Sequence, residues 1–307
     1  MARFVARRLL LAIPVLLGAS FIVFFLVYAL PGDPIRALAG DRPLSPGVVA
    51  ELRERYNLDD PFIVQYLKYL NGLLHGDLGV DFSGREVSET IAQRLPVTLK
   101  LATTAIIIEA VVGLVAGVLA AIRRNGFLDN LVLVSTTLLV SIPVFVLGFS
   151  LQYFLGVKLG WFPISGANDG WRSYVLPGMA LAALSLAYVA RLTRTSLVEN
   201  LRQDYVRTAR AKGLPERSVV GRHALRNSLI PVVTFLGADF GALMSGAIII
   251  EGVFNLPGLG GAVFSAVRSQ EGALVVGITT FFIFVYIFFN LVVDVLYAFL
   301  NPRIRVT

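Results

Sequence analysis

Cysteine is absent from the 307 residues, so neither a disulfide framework nor a thiolate metal site can be built. Histidine is nearly absent as well: His75 and His223 stand far apart and outside the apolar runs. Imidazole metal sites and histidine-based catalysis are poorly supplied, and no metal-ligating or catalytic residue is assigned. Charge is scarce too, with 15% of residues charged against 56% hydrophobic. A soluble domain carries roughly 25% charged residues to cover its surface. With a mean hydropathy of +0.75, this deficit argues against an ordinary soluble fold and makes lipid the solvent. No Gly-x-x-x-x-Gly-Lys-Ser/Thr phosphate loop occurs, so this chain is not expected to bind ATP by that means.

What is present is six long apolar runs. A bilayer-crossing helix takes about 20 mostly apolar residues. Such runs occupy 9–30, 97–121, 131–157, 174–190, 229–250 and 274–300. The first follows Arg3, Arg7 and Arg8 and could be read as a signal peptide, with a small-residue site at Ala37-Leu38-Ala39. It exceeds the usual ~7–15-residue core of such a peptide, and the site lies beyond Pro31-Gly32-Asp33-Pro34, so it is read as a retained span. The expected class is an all-α membrane protein with six transmembrane helices. The expected divisions are 1–30, an outer helical cap at 31–96, a membrane core at 97–300 and a tail at 301–307.

Charge orients the spans. With the N-terminus inside, the inner segments hold 16 Lys/Arg against 4 acids, and the outer ones 10 against 13. This matches the excess of Lys and Arg on cytoplasmic loops and puts both termini inside. It also makes nucleic acid an unnecessary explanation of the net charge of +7. In the outer segment, Ser45-Pro46 suits a helix start with Val48, Leu52 and Tyr56 on one face. A second amphipathic stretch carries Ile63, Tyr66, Leu67 and Leu70, and Gly76-Asp77-Leu78-Gly79 reads as a turn.

The inside segment 191–228 is long and basic. Asp204 can cap a short helix from Tyr205 to about Lys212, ended by Gly213 and Pro215. Tyr205, Ala209 and Gly213 share a face, flanked by Arg207 and Arg210. Such a helix is too short to stand alone in water. It must dock on its own membrane domain or on a partner, or lie on anionic membrane lipid.

Charges within spans are functional candidates because lipid makes them costly. Asp239 is the best candidate to face a pathway, the alternative being a polar contact with another subunit's helix. Glu109 is read as a structural polar contact, Lys100 as reaching water, and Asp294 as interfacial or paired with a basic loop residue. Gly113-x-x-x-Gly117 and Gly237-x-x-x-Gly241 fit close helix packing. Pro143 and Pro177 are candidate kinks, and 251–260 is expected to form a loop at the outer mouth.

Several stretches together resemble one family. Tyr205-Val206-Arg207-Thr208-Ala209-Arg210-Ala211-Lys212-Gly213-Leu214, followed by 225–231, resembles the coupling loop of ABC importer permeases. Leu30-Pro31-Gly32-Asp33-Pro34, Gly76-Asp77-Leu78-Gly79 and Glu251-Gly252-Val253-Phe254-Asn255-Leu256-Pro257-Gly258-Leu259-Gly260 are similar to the B-type subunit of the dipeptide/oligopeptide branch. The sequence departs from that pattern at Arg207-Thr208-Ala209, where the loop's Glu-Ala-Ala would stand, and at Asn301-Pro302-Arg303, where the family closes on Asp-Pro-Arg.

The resemblance implies the type I ABC importer permease fold and a non-enzymatic transport subunit in the bacterial inner membrane. Its implied partners are a homologous second permease subunit, two cytoplasmic ATPase subunits (or one duplicated) and an extracytoplasmic solute-binding protein. ATP and Mg would be bound by the ATPases, with no cofactor in this chain. The coupling helix would comprise Asp204 to Leu214. Asp239, Glu251, Asn255, Pro257 and Gly258 become candidates for pathway or gate. The implied substrates are di- and oligopeptides, with nickel, heme or another small solute as alternatives. An ion-coupled secondary transporter using the intramembrane carboxylates is the rival class.

Overall fold

The computed structural model describes residues 2–28, 45–55 and 57–300. Leu30 to Pro34, Tyr56 and the tail 301–307, with Asn301-Pro302-Arg303, lie outside the described residues. The chain is nearly all helix, and among the described residues the sole β pairing is an isolated bridge between Val80 and Glu86. The helices are α1 (Ala2–Tyr28), α2 (Pro46–Arg55), α3 (Phe62–Leu74), α4 (Val87–Ile122) and α5 (Phe127–Ser141). They continue with α6 (Val144–Leu151), α7 (Val175–Asn200), α8 (Asp204–Ala211), α9 (Leu225–Phe254), α10 (Leu259–Arg268) and α11 (Gly272–Leu300).

Among the described residues five helices (α1, α4, α7, α9 and α11) are long and apolar enough to cross a membrane. The run 131–157, expected as one span with a candidate kink at Pro143, is broken there: α5 and the helical stretch Val144–Lys158 meet at 106°. Pro143 is the cause. It offers no N–H to the preceding turn and pushes Ile142 to an extended backbone, with φ −93 and ψ 125. Past α6 the chain continues as a wider π turn, Gln152–Lys158. Pro177 makes no kink. It is the third residue of α7, where a missing N–H costs nothing.

The fourth span also differs in length. Hydropathy stops it near residue 190, but α7 runs on to Asn200. At the far side, Glu216–Ser218 and the π turn Val219–Ala224 lead directly into α9. The segment 191–228 is therefore mostly helix extended beyond the apolar window. Only the residues around α8 are loop.

Small residues set the helix spacing. A Cβ on Gly113 would come 2.8 Å from Val189, and one on Gly117 would come 2.5 Å from the Ala190 carbonyl oxygen. At the other end Gly178 meets Thr104. These contacts advance together along both helices, so α4 and α7 run parallel and nearly touch backbone to backbone. Gly237 and Gly241 likewise bring α9 close to α11, here antiparallel, against Val293 and Tyr286. The central core lies among α4, α7 and α9, with Leu101, Ala105, Ala180, Met244 and Ile250 buried in it.

The outer segment does not stand clear of the bundle. Tyr66 of α3 donates to the Leu17 carbonyl in the middle of α1 (2.9 Å) and lies 3.0 Å from Ser20 Oγ. Tyr69 donates to Thr280 Oγ1 of α11 at 2.8 Å. The amphipathic face found in 62–74 thus packs along α1 and α11. Nearer the outer end, the Phe82 N–H donates to Glu271 Oε1 at 2.6 Å, just before α11. Burial, followed by the neighbouring Asp81 charge, pushes the Glu271 carboxyl above its ordinary range against that bond. The loop's attachment therefore weakens as pH rises through the raised Glu271 pKa. A hydrogen bond to a charged group contributes about 1.5–3 kcal/mol. Glu271→Ala is expected to speed exchange of the Phe82 amide about tenfold or more, whereas Glu271→Gln, which keeps an acceptor, abolishes the pH dependence of its protection relative to the intrinsic exchange rate. Hydrogen–deuterium exchange across acid and neutral pH checks both.

Candidate functional site

The short helix α8 begins differently from the expectation. Gln203 is the N-cap and makes no side-chain cap bond, so Asp204 is the first helical residue rather than the cap. Its carboxylate lies 3.4 Å from Arg207 Nη1 and faces the positive end of the helix dipole. The other end closes as the sequence suggests. Gly213 has φ +75, its N–H donates to Arg210 O at 2.9 Å, and the Leu214 N–H reaches Ala209 O at 3.4 Å. This paired closure satisfies the last carbonyls and needs a residue free to adopt the left-handed conformation.

Val206 and Ala209 are buried together with Ala121, Leu197, Val219 and Ala224. Therefore α8 docks across the ends of α4 and α7 and the turn into α9. The small face that the sequence offered to a partner is in part turned inward, because Ala209 packs on the protein's own bundle. Tyr205, Arg207, Thr208, Arg210, Ala211, Lys212, Gly213 and Leu214 remain exposed. Arg210 clasps Glu216 across the turn, with Nη2 2.6 Å from Oε1.

Beneath this docking surface lies an ion pair that the sequence did not signal. Asp129 of α5 is 1% exposed and receives Nε and Nη2 of Arg194 from α7. Its Oδ2 also accepts the Asn125 N–H at 2.8 Å. Beside it Arg191 Nε donates to Thr136 Oγ1 at 3.1 Å. In sequence Asp129 was merely one of four inner acids, and only the extension of α7 past residue 190 brings Arg194 to it. Removing one member of a buried pair costs about 3–5 kcal/mol because the other charge stays buried. Asp129→Ala is expected to cut the membrane level of the subunit several-fold, and Asp129→Ala with Arg194→Leu to restore most of it. Quantitative immunoblotting of membranes checks this.

The candidate gate residues assemble at the opposite end, where α9 gives way to α10. Asn255 ends α9 in the left-handed conformation, φ 49. Pro257 follows, and Gly258 is the N-cap of α10. Glu251 is fully buried. Its Oε1 accepts from Thr98 Oγ1 at 2.7 Å and its Oε2 from the Gly261 N–H at 2.9 Å. Thr98 Oγ1 in turn accepts the Leu259 N–H at 2.8 Å. A Cβ on Gly258 would fall 2.3 Å from the Glu251 carboxylate oxygens, and one on Gly260 would fall 2.5 Å from Ile248 Cα. So 251–260 is only briefly a loop. It is a joint in which a carboxylate on α9 holds the first turn of α10 and a hydroxyl of α4, and Glu251 lines no open space. Asn255 and Pro257 are exposed at its rim.

Asp239 lies in the middle of α9 and is partly buried. It faces Ser185 of α7 and Glu109 of α4. The sequence treated the two acids separately, and the packing of α9 against α4 and α7 in the central core brings them together. Asp294 pairs with Arg8 of α1 at 3.0 Å. Among the described residues no cluster of three or more His, Cys, Asp or Glu is placed to hold a metal ion.

Residues 113–306 match the family model for the binding-protein-dependent transport system inner membrane component, and residues 1–102 match the model for the N-terminal part of such membrane components. The chain is 43% identical over 306 residues to the glutathione transport system permease protein GsiC of Salmonella paratyphi A, covering 99% of each chain. It is likewise 43% identical over 307 residues, again 99% of each, to GsiC of Escherichia coli strain K12. In fold it is similar to a chain of the MetNI methionine ABC transporter in an inward-facing conformation, with TM-score 0.56, 18% identity, and coverage of 69% of this chain and 96% of that one. With its broken and unbroken spans, its docked short helix and these matches over its whole length, the chain belongs to the binding-protein-dependent transport system inner membrane components and is a transmembrane permease subunit of an ABC importer, of the dipeptide/oligopeptide B type.

Proposed function

We propose that this subunit forms half of a translocation pathway for small peptides in the bacterial inner membrane, driven through α8. The observation that carries the reading is the two-sided placement of that helix. Val206 and Ala209 anchor it to the ends of α4, α7 and α9, while Tyr205, Arg207 and Lys212 face outward. A motor domain gripping the outward side moves three spans at once. The Lys/Arg excess on the segments at this end supports a cytoplasmic location for α8 and for both termini.

In this reading a homologous second permease completes the pathway. Two cytoplasmic ATPase subunits, or one duplicated, bind ATP and Mg and dock on the coupling helices. A solute-binding protein delivers cargo to the opposite face, where the Glu251 joint, with Asn255, Pro257 and Gly258, borders the mouth. Asp239 marks the depth at which the spans carry charge. A peptide cargo is supported by the relatives named for glutathione, itself a tripeptide.

The test is purification of the tagged subunit in mild detergent. Two ATP-hydrolysing subunits and a second permease are expected to come with it, and the reconstituted complex is expected to hydrolyse ATP faster when binding protein loaded with short peptides is added. Recovery of the chain without any ATPase would overturn the reading. Stimulation by a nickel- or heme-loaded binding protein, and not by peptide, would keep the coupling and replace the cargo.

A further inference from the structure

Glu109 is fully buried in the middle of α4. Among the described residues neither Oε1 nor Oε2 has a hydrogen-bond donor, and Asp239 Oδ2 is equally without one. The two carboxyl groups lie within hydrogen-bonding reach of each other, and the Ser185 hydroxyl lies against Asp239 from α7. The cluster therefore joins the three helices of the core at one depth. A buried ionised carboxylate without donors costs several kcal/mol, and two in contact cannot both stay ionised.

Among the described residues no cation relieves them. On α4 the next charged group is Lys100, nine residues away and exposed. On α7, Arg191 stands six residues past Ser185; its Nε donates to Thr136 of α5 and its Nη2 is buried without a partner, so it makes no bond to either carboxyl group. From α11 the nearest titratable groups are Tyr286, which packs on Gly241, and Asp294, which is paired with Arg8. Tyr188 of α7 turns to the ring of Phe235. Two carboxyl groups and one hydroxyl also fall short of the six or more oxygens that a calcium or magnesium ion collects.

We propose that Glu109 and Asp239 form a proton-binding site within the membrane, in which the neutral Glu109 acid donates its O–H to the Asp239 carboxylate while Ser185 donates to the same carboxylate. Burial divides the roles. Glu109 is wholly enclosed and holds the proton. Asp239 keeps part of its surface open and carries the charge. The shared proton is the one bond that satisfies oxygens left without donors on two spans, and it ties α4 to α9 beside the backbone contact of α4 with α7.

The test is infrared spectroscopy of the complete transporter in liposomes at neutral pH, in H2O and D2O. The wild type is expected to show a protonated-carboxyl carbonyl band that shifts on deuteration. The band is lost in Glu109→Gln. In Asp239→Asn it survives at a displaced frequency, because the acceptor changes from carboxylate to amide. If Glu109→Gln does not accumulate, the Asp239→Asn spectrum decides alone, and an undisplaced band there overturns the proposal. So does a band unchanged in Glu109→Gln, which would place the proton elsewhere. A wild-type band that appears only after Na⁺ and K⁺ are removed would make the occupant a metal cation and equally overturn it.

Discussion

Val206→Asp is expected to reduce solute uptake about a hundredfold or more while the subunit still reaches the membrane. Val206 is fully buried under α8, in a small cluster with Ala209, Leu197 and Val219. A carboxylate placed there is enclosed by apolar side chains, and an uncompensated buried charge costs several kcal/mol. Each 1.4 kcal/mol is a factor of ten in the docked population. An eight-residue helix has no stability of its own to oppose this. The cluster is separate from the core formed by α4, α7 and α9, so the spans still assemble. Uptake of labelled peptide, normalised to membrane level by immunoblot, reads the effect. Exposed Lys212→Ala leaves the membrane level and the docking of α8 intact, and it lowers uptake only through contact with the motor.

Glu251→Ala has the opposite profile, acting on the folded subunit itself. It deprives the Thr98 hydroxyl and the Gly261 N–H of their acceptor and leaves a void under Gly258. Each stranded buried donor costs about 1–3 kcal/mol, and the void adds to that. The sum is a large part of the roughly 5–15 kcal/mol that holds a typical domain together. A drop of roughly 10 °C in melting temperature follows, at about 2–4 °C per kcal/mol for a chain of this size. Glu251→Gln keeps the volume and one good acceptor and is expected to fall between. Thermal aggregation of the tagged subunit in detergent measures all three proteins. A Glu251→Ala subunit as stable as wild type would mean that the carboxylate serves the pathway and not the joint.

The sequence was informative where hydropathy and turn chemistry act locally. Apolar runs located the spans, and Gly213 at φ +75 closed α8 where predicted. Gly113 and Gly117 marked a close helix contact, although not its partner α7. Hydropathy misjudged α7 because a helix does not end where its apolar residues do; Asp129 and Thr136 wait to receive Arg194 and Arg191. It read 131–157 as one span with a candidate kink at Pro143, and Pro143 bends the run there by 106°. The inward turn of Ala209, the clasp of Arg210 on Glu216 and the meeting of Glu109 with Asp239 are matters of long-range packing. No spacing within one segment encodes them. The Glu251–Gly260 stretch was singled out as a motif, and its physical reason became visible only with Thr98, which stands 153 residues earlier.

The central claim is that a separate ATPase grips the outward side of α8. Because the chain has no cysteine, Lys212→Cys provides a single thiol there and Ser83→Cys a single thiol at the opposite end. Membranes carrying each variant are treated with a short bifunctional thiol reagent and the products are identified by mass spectrometry. The account predicts that position 212 cross-links to an ATP-binding subunit and position 83 does not. Cross-linking of an ATP-binding subunit from position 83, with none from position 212, would contradict it.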